Sequence, residues 1–293
     1  MKLTITAYST ALFSTWYFIE ELNLLLDAGE GLTSALLHKA RKVENVFITH
    51  ADRDHLMGLH QFNQLNAKPG SPTIHYPKDC GSFPAMEAFT KKFDTHVSGT
   101  IWTPLVDGEK IWIKGDVYVQ AIKNHHVITQ EGKHRSFAYK VVSVKHKLKP
   151  ELTKLPAKEI RALIKTEGKE NTHIEIATNL LCYSGDTPVE NFEHWHGSQV
   201  LIHEATFLGG EHDTNLWVHG NQHSTLEEVI AAVANINLET LILGHFSSRY
   251  SPERIDEEIK KLCKKYQITI PVYRILPGQT VKDILSDSTH RVV

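Results

Sequence analysis

Apolar and polar positions along the chain predict strands that alternate with helices. In the first part of the chain, short apolar runs typical of strands occupy residues 3–7, 16–19, 22–27, 43–49, 73–76, 111–113, 117–122 and 137–144. Later runs of the same kind occupy residues 180–183, 199–202 and 240–243. Patterns with helical spacing occupy residues 33–41, 56–66, 224–235 and 252–265. Interleaved strands and helices are typical of an α/β fold whose sheets are covered by helices.

The starts of two helices are marked by residues that cap helices well. Ser224 or Thr225 can cap the helix at 224–235, and Glu227 and Glu228 fall in its first turn. Ser251 can cap the helix at 252–265. These signals favour independent, well-defined helices in the second half of the chain.

One segment departs from this alternation. Residues 145–169 are rich in lysine and contain two prolines, which predicts an excursion from the core that ends in a short helix around 157–166. A chain of 293 residues can bury one large core. We therefore predict a single domain over residues 1–293, with the Lys-rich excursion at 145–169.

Composition excludes several classes of protein. The chain is 41% hydrophobic and 23% charged, with a net charge of −2, so it has no overall basic character that would indicate a pure nucleic-acid binder. The three cysteines are isolated, which argues against a disulfide scaffold and against a zinc site built on Cys pairs. No basic leader with a long apolar run and no membrane-length apolar run occurs, so we predict a cytoplasmic protein without a membrane partner.

The most informative segment is the strand-to-helix turn at residues 46–59. An apolar run ends at His50, and Asp52, Asp54 and His55 follow within five residues. Crowding carboxylates and imidazoles in one turn is unfavourable unless a cation neutralises them. Both residue types are common ligands of transition metals, so this turn predicts a metal site.

Metal-capable side chains also follow four other predicted strands. These are His125 and His126, then Asp186, then His203 with Glu204, and finally His245. The carboxyl ends of strands in α/β sheets lie at the edge where ligand sites assemble. Five such clusters with several carboxylates favour a site for two metal ions.

The order of these motifs resembles the ribonuclease Z (tRNase Z) branch of the metallo-β-lactamase superfamily, whose members cut the 3′ trailer from precursor tRNA. The matching motifs are HADRDH at 50–55, His126, SGDT at 184–187, HEATF at 203–207, HST at 223–225 and HFSSRY at 245–250. The continuation from HEATF to HST and then to H-x-S-x-R-Y makes the resemblance narrow. DAGEGL at 27–32 and NHHVITQ…SFAYKV, with extra residues before Tyr139, also fit, and the resemblance spans roughly residues 20–285.

The resemblance implies an αββα sandwich in which two mixed sheets lie face to face with helices outside. It implies a metal-dependent phosphodiesterase, an endoribonuclease whose water nucleophile is activated by two divalent metals. The first metal would be held by His50, Asp52 and His126, and the second by Asp54, His55 and His245, with Asp186 bridging both. His125 competes with His126 for the ligand position, and the Val-Ile that follows His126 favours His126.

The resemblance also implies roles in proton transfer and in substrate binding. His223 would donate a proton to the leaving oxygen and Glu204 would orient it, while Asp54 serves the catalytic centre as a ligand. Ser247 and Arg249 would bind substrate phosphate, although Arg249 could instead pair with a neighbouring loop. His219 could touch the site from the preceding loop.

Two departures from the family pattern affect these expectations. Position 52 holds Asp where the family normally has His, so Zn²⁺ is the expected metal but Mn²⁺ or Fe becomes more favourable. The Gly-Pro-rich arm of the bacterial enzymes is absent, and the Lys-rich excursion is either its replacement as a tRNA-holding surface or a solvated charged loop.

Three functional hypotheses therefore remain open. The first is an endoribonuclease that acts on precursor tRNA, with RNA as its partner and a possible homodimer as its assembly. The second is a phosphodiesterase of the same fold that hydrolyses a small molecule such as a cyclic nucleotide. The third is a binding protein that has lost catalysis, against which stands a ligand-capable residue at every expected position.

Overall fold

The apolar runs predicted as strands pair into two large sheets. The computed structural model describes residues 1–94, 99–209, 217–218 and 221–293. In chain order its strands are β1 (Ile5–Thr10), β2 (Ser14–Ile19), β3 (Leu24–Leu26), β4 (Asn45–Phe47), β5 (Thr73–Pro77), β6 (Ile101–Leu105), β7 (Lys110–Lys114), β8 (Val117–Lys123), β9 (Phe137–Leu148), β10 (His173–Tyr183), β11 (Leu201–Glu204), β12 (Trp217–Val218), β13 (Asn221–Gln222), β14 (Leu241–Gly244), β15 (Val272–Arg274) and β16 (Thr280–Val281).

Both large sheets are mixed. The first has the order β16-β1-β2-β3-β4-β5-β6, and the second has the order β15-β14-β11-β10-β9-β8-β7. In the first sheet β1, β2 and β3 pair antiparallel, whereas β3 to β6 pair parallel. In the second sheet β7 to β10 pair antiparallel, whereas β10, β11, β14 and β15 pair parallel. Parallel strands therefore lie in each sheet. The carboxyl ends of β4, β10 and β14 lead into candidate site residues, whereas His126 follows the antiparallel strand β8.

Helices connect the strands and cover the outer face of each sheet. In chain order they are α1 (Leu32–Leu36), α2 (Arg53–Leu56), α3 (Leu59–Asn66), α4 (Ser82–Phe93), α5 (Ala157–Glu167), α6 (Lys169–Thr172), α7 (Leu226–Val233) and α8 (Pro252–Lys265). No helix in these described ranges is long and apolar enough to cross a bilayer.

The alternation of side chains along each strand produces three apolar layers. Tyr17 and Ile19 pack in the core between the two sheets, whereas Trp16 and Phe18 on the same strand pack in the layer under α1, α3 and α4. Leu243 of β14 packs on the opposite side of the second sheet, against α7 and α8. This arrangement of helices, two facing sheets and helices confirms the predicted αββα sandwich.

The predicted helix caps are confirmed in the second half. The Thr225 hydroxyl accepts a hydrogen bond from the Glu228 amide, and the Glu228 carboxylate accepts one from the Thr225 amide. Ser251 caps α8, with Pro252 in the first turn. The helix predicted at 33–41 is shorter than expected, because Leu37 adopts a left-handed φ of 50° that ends α1 and begins a 3₁₀ segment over Leu37–Lys42.

The Lys-rich segment forms strands and helices rather than an irregular excursion from the core. Residues 145–148 continue β9, and they pair antiparallel with the first residues of β10, so that the two strands form a long hairpin. Helices α5 and α6 close its tip. The strand predictions at 137–144 and 180–183 were too short, because the outer halves of these strands are largely exposed and lack an apolar run. We call residues 145–176 the hairpin arm.

Candidate active site

The ligand-rich turn is positioned by the parallel strand β4 and by close packing of two glycines. The main chain runs from the end of β4 to His50, and α2 begins at Arg53. A Cβ atom at Gly58 would collide with the carbonyl oxygen of Gly29, and a Cβ at Gly29 would collide with that of Asp54. Only glycine allows this turn to pack against the DAGEGL turn, which brings the two segments together beneath the site.

The first group of metal-capable side chains joins the two sheets. The Nε2 atoms of His50 and His126 each lie 3.6 Å from Oδ2 of Asp52. The two imidazole rings are 4.4 Å apart between centroids. His50 and His126 are fully buried, whereas the Asp52 side chain is 46% exposed.

A second group lies beside the first. Oδ2 of Asp54 is 3.6 Å from Nε2 of His55 and 3.3 Å from Nε2 of His245. All three residues are buried. His245 follows β14 in the second sheet, so this group also forms only when the two sheets pack together.

Asp186 lies between the two groups. Its Oδ2 is 3.7 Å from Nε2 of His50, 3.3 Å from Nε2 of His55 and 3.3 Å from Nε2 of His245. A single carboxylate oxygen therefore faces imidazoles of both groups, which is the position that a bridging ligand would need.

The imidazoles present free nitrogens toward this cluster. The Nε2 atoms of His50, His55 and His126 are buried and have no hydrogen-bond partner among the described residues. The Nδ1 of His126 donates to the backbone carbonyl of Gln222 at 2.7 Å, so its Nε2 carries the lone pair. Buried nitrogen lone pairs beside carboxylates form the donor set of a divalent metal, and the residues present fit such an ion.

Electrostatics within the cluster favour ionised carboxylates. Burial alone would raise the pKa of Asp186, but His245 and His55 hold it well below the ordinary value. The pKa of Asp54 is lowered to about 2, because His55 and His245 outweigh its burial. Burial together with the neighbouring His55 and His126 lowers the pKa of His50. Anionic carboxylates and a neutral His50 are the protonation states that bind a cation.

Hydrogen bonds from neighbouring residues fix the orientation of the imidazoles. One of these residues, Asp27, was given no role from the sequence. Asp27, fully buried, has its Oδ2 2.7 Å from Nδ1 of His55 and accepts a hydrogen bond from the Tyr183 hydroxyl at 2.6 Å. The Thr49 amide donates to its other oxygen at 2.7 Å. One feature of the sequence could have indicated this role: Asp27 is the acid that begins DAGEGL, directly after a strand. The Thr206 hydroxyl lies 2.7 Å from Nδ1 of His245 and supports that ring in the same way.

The backbone is strained at two of these positions. Asp27 and His245 adopt φ values of 56° and 61°, in the left-handed region that residues with a side chain rarely occupy. Such strain persists where the surrounding structure enforces it, and it concentrates at functional sites.

Glu204 and His223 form a pair beside the cluster. Oε1 of Glu204 lies 3.1 Å from Nδ1 of His223 and accepts a hydrogen bond from the Thr187 amide at 2.8 Å. Burial alone would lower the pKa of His223, but the Glu204 carboxylate raises it to about 9. The carboxylate therefore keeps His223 protonated at neutral pH, which is the state of a proton donor.

Comparison with known proteins places this geometry in a family. A family profile described as "Beta-lactamase superfamily domain" matches residues 22–246. The chain is 30% identical over 262 residues to the chloroplastic tRNase Z TRZ2 of Arabidopsis thaliana, covering 86% of this chain and 69% of that protein. It is 29% identical over 296 residues to the ribonuclease Z of Methanocaldococcus jannaschii, covering 90% and 88% of the two chains.

The chain belongs to the ribonuclease Z branch of the metallo-β-lactamase superfamily. It is accordingly a metal-dependent hydrolase of that family. The human tRNase Z short form superimposes with a TM-score of 0.59 at 17% identity, covering 96% of this chain and 99% of that one, which supports the fold. The metallo-β-lactamase fold protein YhfI of Bacillus subtilis superimposes with a TM-score of 0.64 at 14% identity, covering 96% and 100%.

In this member of the ribonuclease Z family, a cleft of about 410 Å³ opens over the cluster of metal-capable side chains. Asp54, Asp186, His223, Ser247 and Arg249 all line it. The Nε of Arg249 donates to the Ser247 hydroxyl at 3.0 Å, and its guanidinium lies 5.3 Å from the centroid of the Phe207 ring. The two residues expected to bind phosphate are therefore on the wall of the same cleft as the metal-capable groups.

Three other histidines considered from the sequence have different positions. His125 lies outside the cluster, half exposed, with its Nδ1 2.5 Å from Oε2 of Glu190. His203 is buried behind the site, and its Nδ1 donates to the Glu204 carbonyl at 2.7 Å. His219 lies outside the residues that the structure describes. Of the neighbouring pair, it is His126 that reaches the cluster.

Proposed function

We propose that this protein is an endoribonuclease that removes the 3′ trailer of precursor tRNA by hydrolysing a phosphodiester with two divalent metal ions. The observation that carries the proposal is a pair of ligand-capable groups on either side of Asp186. Their three buried imidazole Nε2 atoms have no hydrogen-bond partner within the part of the chain that the structure describes. Relatives with the printed names tRNase Z and ribonuclease Z supply the substrate class.

Each metal would have its own set of side chains. His50, Asp52 and His126 would hold the first, and the second would be held by a separate group of three, namely Asp54, His55 and His245. Asp186 would contact both. Bound there, two divalent ions would supply an activated water and neutralise charge on the phosphoryl group. Zn²⁺ is the metal that this ligand set favours, with Mn²⁺ or Fe made more favourable by the Asp52 carboxylate.

The protein's own residues would perform the proton transfer. The protonated imidazole of His223 lines the cleft and would donate to the leaving oxygen of the RNA. Glu204 would hold the imidazole in place and keep it charged, since its Oε1 accepts a hydrogen bond from Nδ1, and Nε2 would then face the substrate. Asp54 would take part in catalysis as a ligand, oriented by the Leu12 amide at 3.0 Å.

RNA binding would involve the cleft wall and the hairpin arm. Arg249 and Ser247 would bind a substrate phosphate beside the metals. Residues 145–169 contain seven lysines and one arginine against three glutamates, and we assign this basic surface to the tRNA body. We further propose a single domain over residues 1–293, which the family match over residues 22–246 supports, together with a cytoplasmic location and a homodimeric assembly.

The substrate can be tested by direct comparison of two phosphodiesters. The metal-reconstituted protein should cleave precursor tRNA with a much higher kcat/KM than it hydrolyses 3′,5′-cyclic nucleotides. Binding of the tRNA in a gel-shift assay should weaken steeply with salt, because neutralised phosphates release counterions. Preference for the cyclic nucleotide, with tRNA binding that does not respond to salt, would favour a small-molecule phosphodiesterase instead.

A further inference from the structure

A loop beside the first metal group carries an arginine to which no role has been given. Residues 128–135 connect the His126 region to β9 and include the extra residues that separate this chain from the shorter family motif. We call them the 128–135 loop. Their position between two site elements makes their side chains candidates for substrate contact.

The 128–135 loop is held firmly at its C-terminal end. The His134 amide donates to Oδ2 of Asp79 at 2.8 Å, and the Asp79 amide donates to the His134 carbonyl at 3.0 Å. The Cys80 thiol donates to the carbonyl of Arg135 at 3.2 Å. These contacts use the main chain of His134 and Arg135, and none of them involves the Arg135 side chain.

The Arg135 side chain lies in a cleft that reaches the first metal group. This cleft, of about 360 Å³, is lined by Arg135 together with Ala51 and Asp52 of the ligand turn and Val127, which follows His126. Ala51 and Asp52 also line the larger cleft that contains Arg249. The two clefts meet at the ligand turn, and we call them together the groove. Arg249 lines the larger cleft and Arg135 the smaller one, while Arg53 lines the larger cleft at the turn that they share.

Among the charged residues that line the smaller cleft, Arg135 is the cation that can bind an anionic ligand. Asp79 is already neutralised, since its Oδ1 lies 3.3 Å from the Lys133 ammonium and its Oδ2 accepts the His134 amide. These contacts, led by the His134 hydrogen bond, lower the pKa of Asp79. Asp52 faces His50 and His126. Across the described ranges no hydrogen bond or ion pair engages the guanidinium of Arg135, which is exposed to solvent.

We propose that Arg135 binds a second backbone phosphate of the RNA, on the opposite side of the scissile phosphate from Arg249. A guanidinium matches the geometry of phosphate oxygens and stays charged at all physiological pH values. A polymer lying in the groove would meet both arginines, whereas a substrate with one phosphate would not span them. The inference rests on the proposed ribonuclease function and extends it to a substrate with phosphates on both sides of the cut.

The test compares Arg135→Gln and Arg135→Lys with the control Arg41→Gln in the metal-loaded protein. Arg41 is exposed and precedes β4, so it lies at the end of the strand opposite the ligands. The dissociation constant of precursor tRNA is measured over a series of salt concentrations. Hydrolysis of bis(p-nitrophenyl) phosphate, which has a single phosphate, is measured in parallel.

Arg135→Gln should raise the Kd for precursor tRNA about tenfold, which corresponds to about 1.4 kcal/mol. The slope of log K against log salt should become shallower by about 0.7–0.9, the loss expected for one phosphate contact. The ratio of kcat/KM on tRNA to kcat/KM on the nitrophenyl ester should fall by a similar factor. Arg135→Lys should restore the slope, because it keeps the charge, and recover part of the affinity.

Two outcomes would overturn the inference in distinguishable ways. If the parent protein cleaves precursor tRNA and Arg135→Gln behaves like Arg41→Gln, the phosphate contact does not exist and the ribonuclease function stands. If the parent protein hydrolyses the nitrophenyl ester but neither binds nor cleaves precursor tRNA, the ribonuclease function and the inference both fail. A slope in Arg135→Lys as shallow as in Arg135→Gln would also count against a charge contact.

Discussion

Asp52 is one of the departures from the ribonuclease Z pattern expected from the sequence, and it is the most exposed of the proposed ligands. Its side chain is 46% exposed, whereas those of His50 and His126 beside it are fully buried. The two imidazoles nevertheless hold the pKa of Asp52 below its ordinary value despite partial burial. The carboxylate is therefore present as an anion at the position where the family motif is expected to have His.

We expect Asp52→His to raise the Zn²⁺ content of the first site, and the parent protein to work as well or better with Mn²⁺. The reason is that replacing an oxygen anion with an imidazole makes the donor set softer. Elemental analysis and phosphodiesterase rates in each metal measure both effects. Stoichiometric Zn²⁺ in the parent, unchanged in the variant, would show that this position does not tune the metal.

His223 provides a second test, since it is proposed to move a proton rather than to hold a metal. His223→Ala should lower kcat by about 10²–10⁴-fold with an unchanged metal content. In the parent, activity should fall as the pH rises through about 9, where His223 loses its proton. Glu204→Gln should move that fall to lower pH, because the carboxylate is what raises the pKa. Loss of metal from His223→Ala would identify His223 as a ligand instead.

Asp27 tests the supporting contacts. Asp27→Asn should reduce metal affinity by about 10–100-fold, because the amide cannot replace the carboxylate that orients His55 and accepts from Tyr183. Thr6→Ser, a buried change on β1 outside these contacts, serves as a control for folding. Metal titration of the two folded variants compares their metal affinities. Equal affinities would show that Asp27 does not support the metal site.

The sequence predicted the side chains that reach the cluster better than those that support them. His50, Asp54 and His55 fall within one motif, so their proximity is local and visible in the sequence. Asp27 and Tyr183 are 156 residues apart, and their hydrogen bond exists only because the two sheets face each other. Spacing along the chain holds no record of such contacts, whereas the Val-Ile that follows His126 already favoured it over His125.

Among the larger elements, the hairpin arm is the one that the pattern of apolar and polar residues predicted poorly. The αββα layers were predictable because β4 and β14 are short apolar runs followed by proposed ligands, and β11 is a short apolar run that ends at Glu204. The outer part of β9 carries alternating lysines, and the outer part of β10 has no fully buried residue, so no buried face marks either as a strand. The antiparallel pairing of the two strands, rather than burial, defines this element.

The arm carries a prediction about RNA binding. Lys158 and Lys165 are seven residues apart on α5, which places both exposed side chains on one side of the helix. Lys158→Gln with Lys165→Gln should weaken precursor tRNA binding and make its salt slope shallower by up to about 2. The matched double variant at Lys260 and Lys264 of α8 should leave the slope unchanged. Equal slopes in the two double variants would show that the hairpin arm is a solvated charged surface that does not bind the RNA.

The complete fold explains why the site forms only in the folded protein. The first sheet supplies His50, Asp52, Asp54 and His55, and the second supplies His126, Asp186 and His245. Asp186 lies where these contributions meet. Metal binding should therefore stabilise the packing of one sheet on the other, since an ion bound only by the folded state shifts the folding equilibrium.

The most direct measurement is the cleavage of an end-labelled precursor tRNA by protein that has been stripped of metal and then reconstituted. We expect no cleavage without metal, a single cut that releases the 3′ trailer when divalent ions are returned, and neither metal retention nor cleavage by Asp186→Ala. Trailer release by the metal-free protein, or near-normal turnover by Asp186→Ala, would contradict a dinuclear centre bridged by this carboxylate. An intact precursor after reconstitution with Zn²⁺ and with Mn²⁺ would contradict precursor tRNA as the substrate.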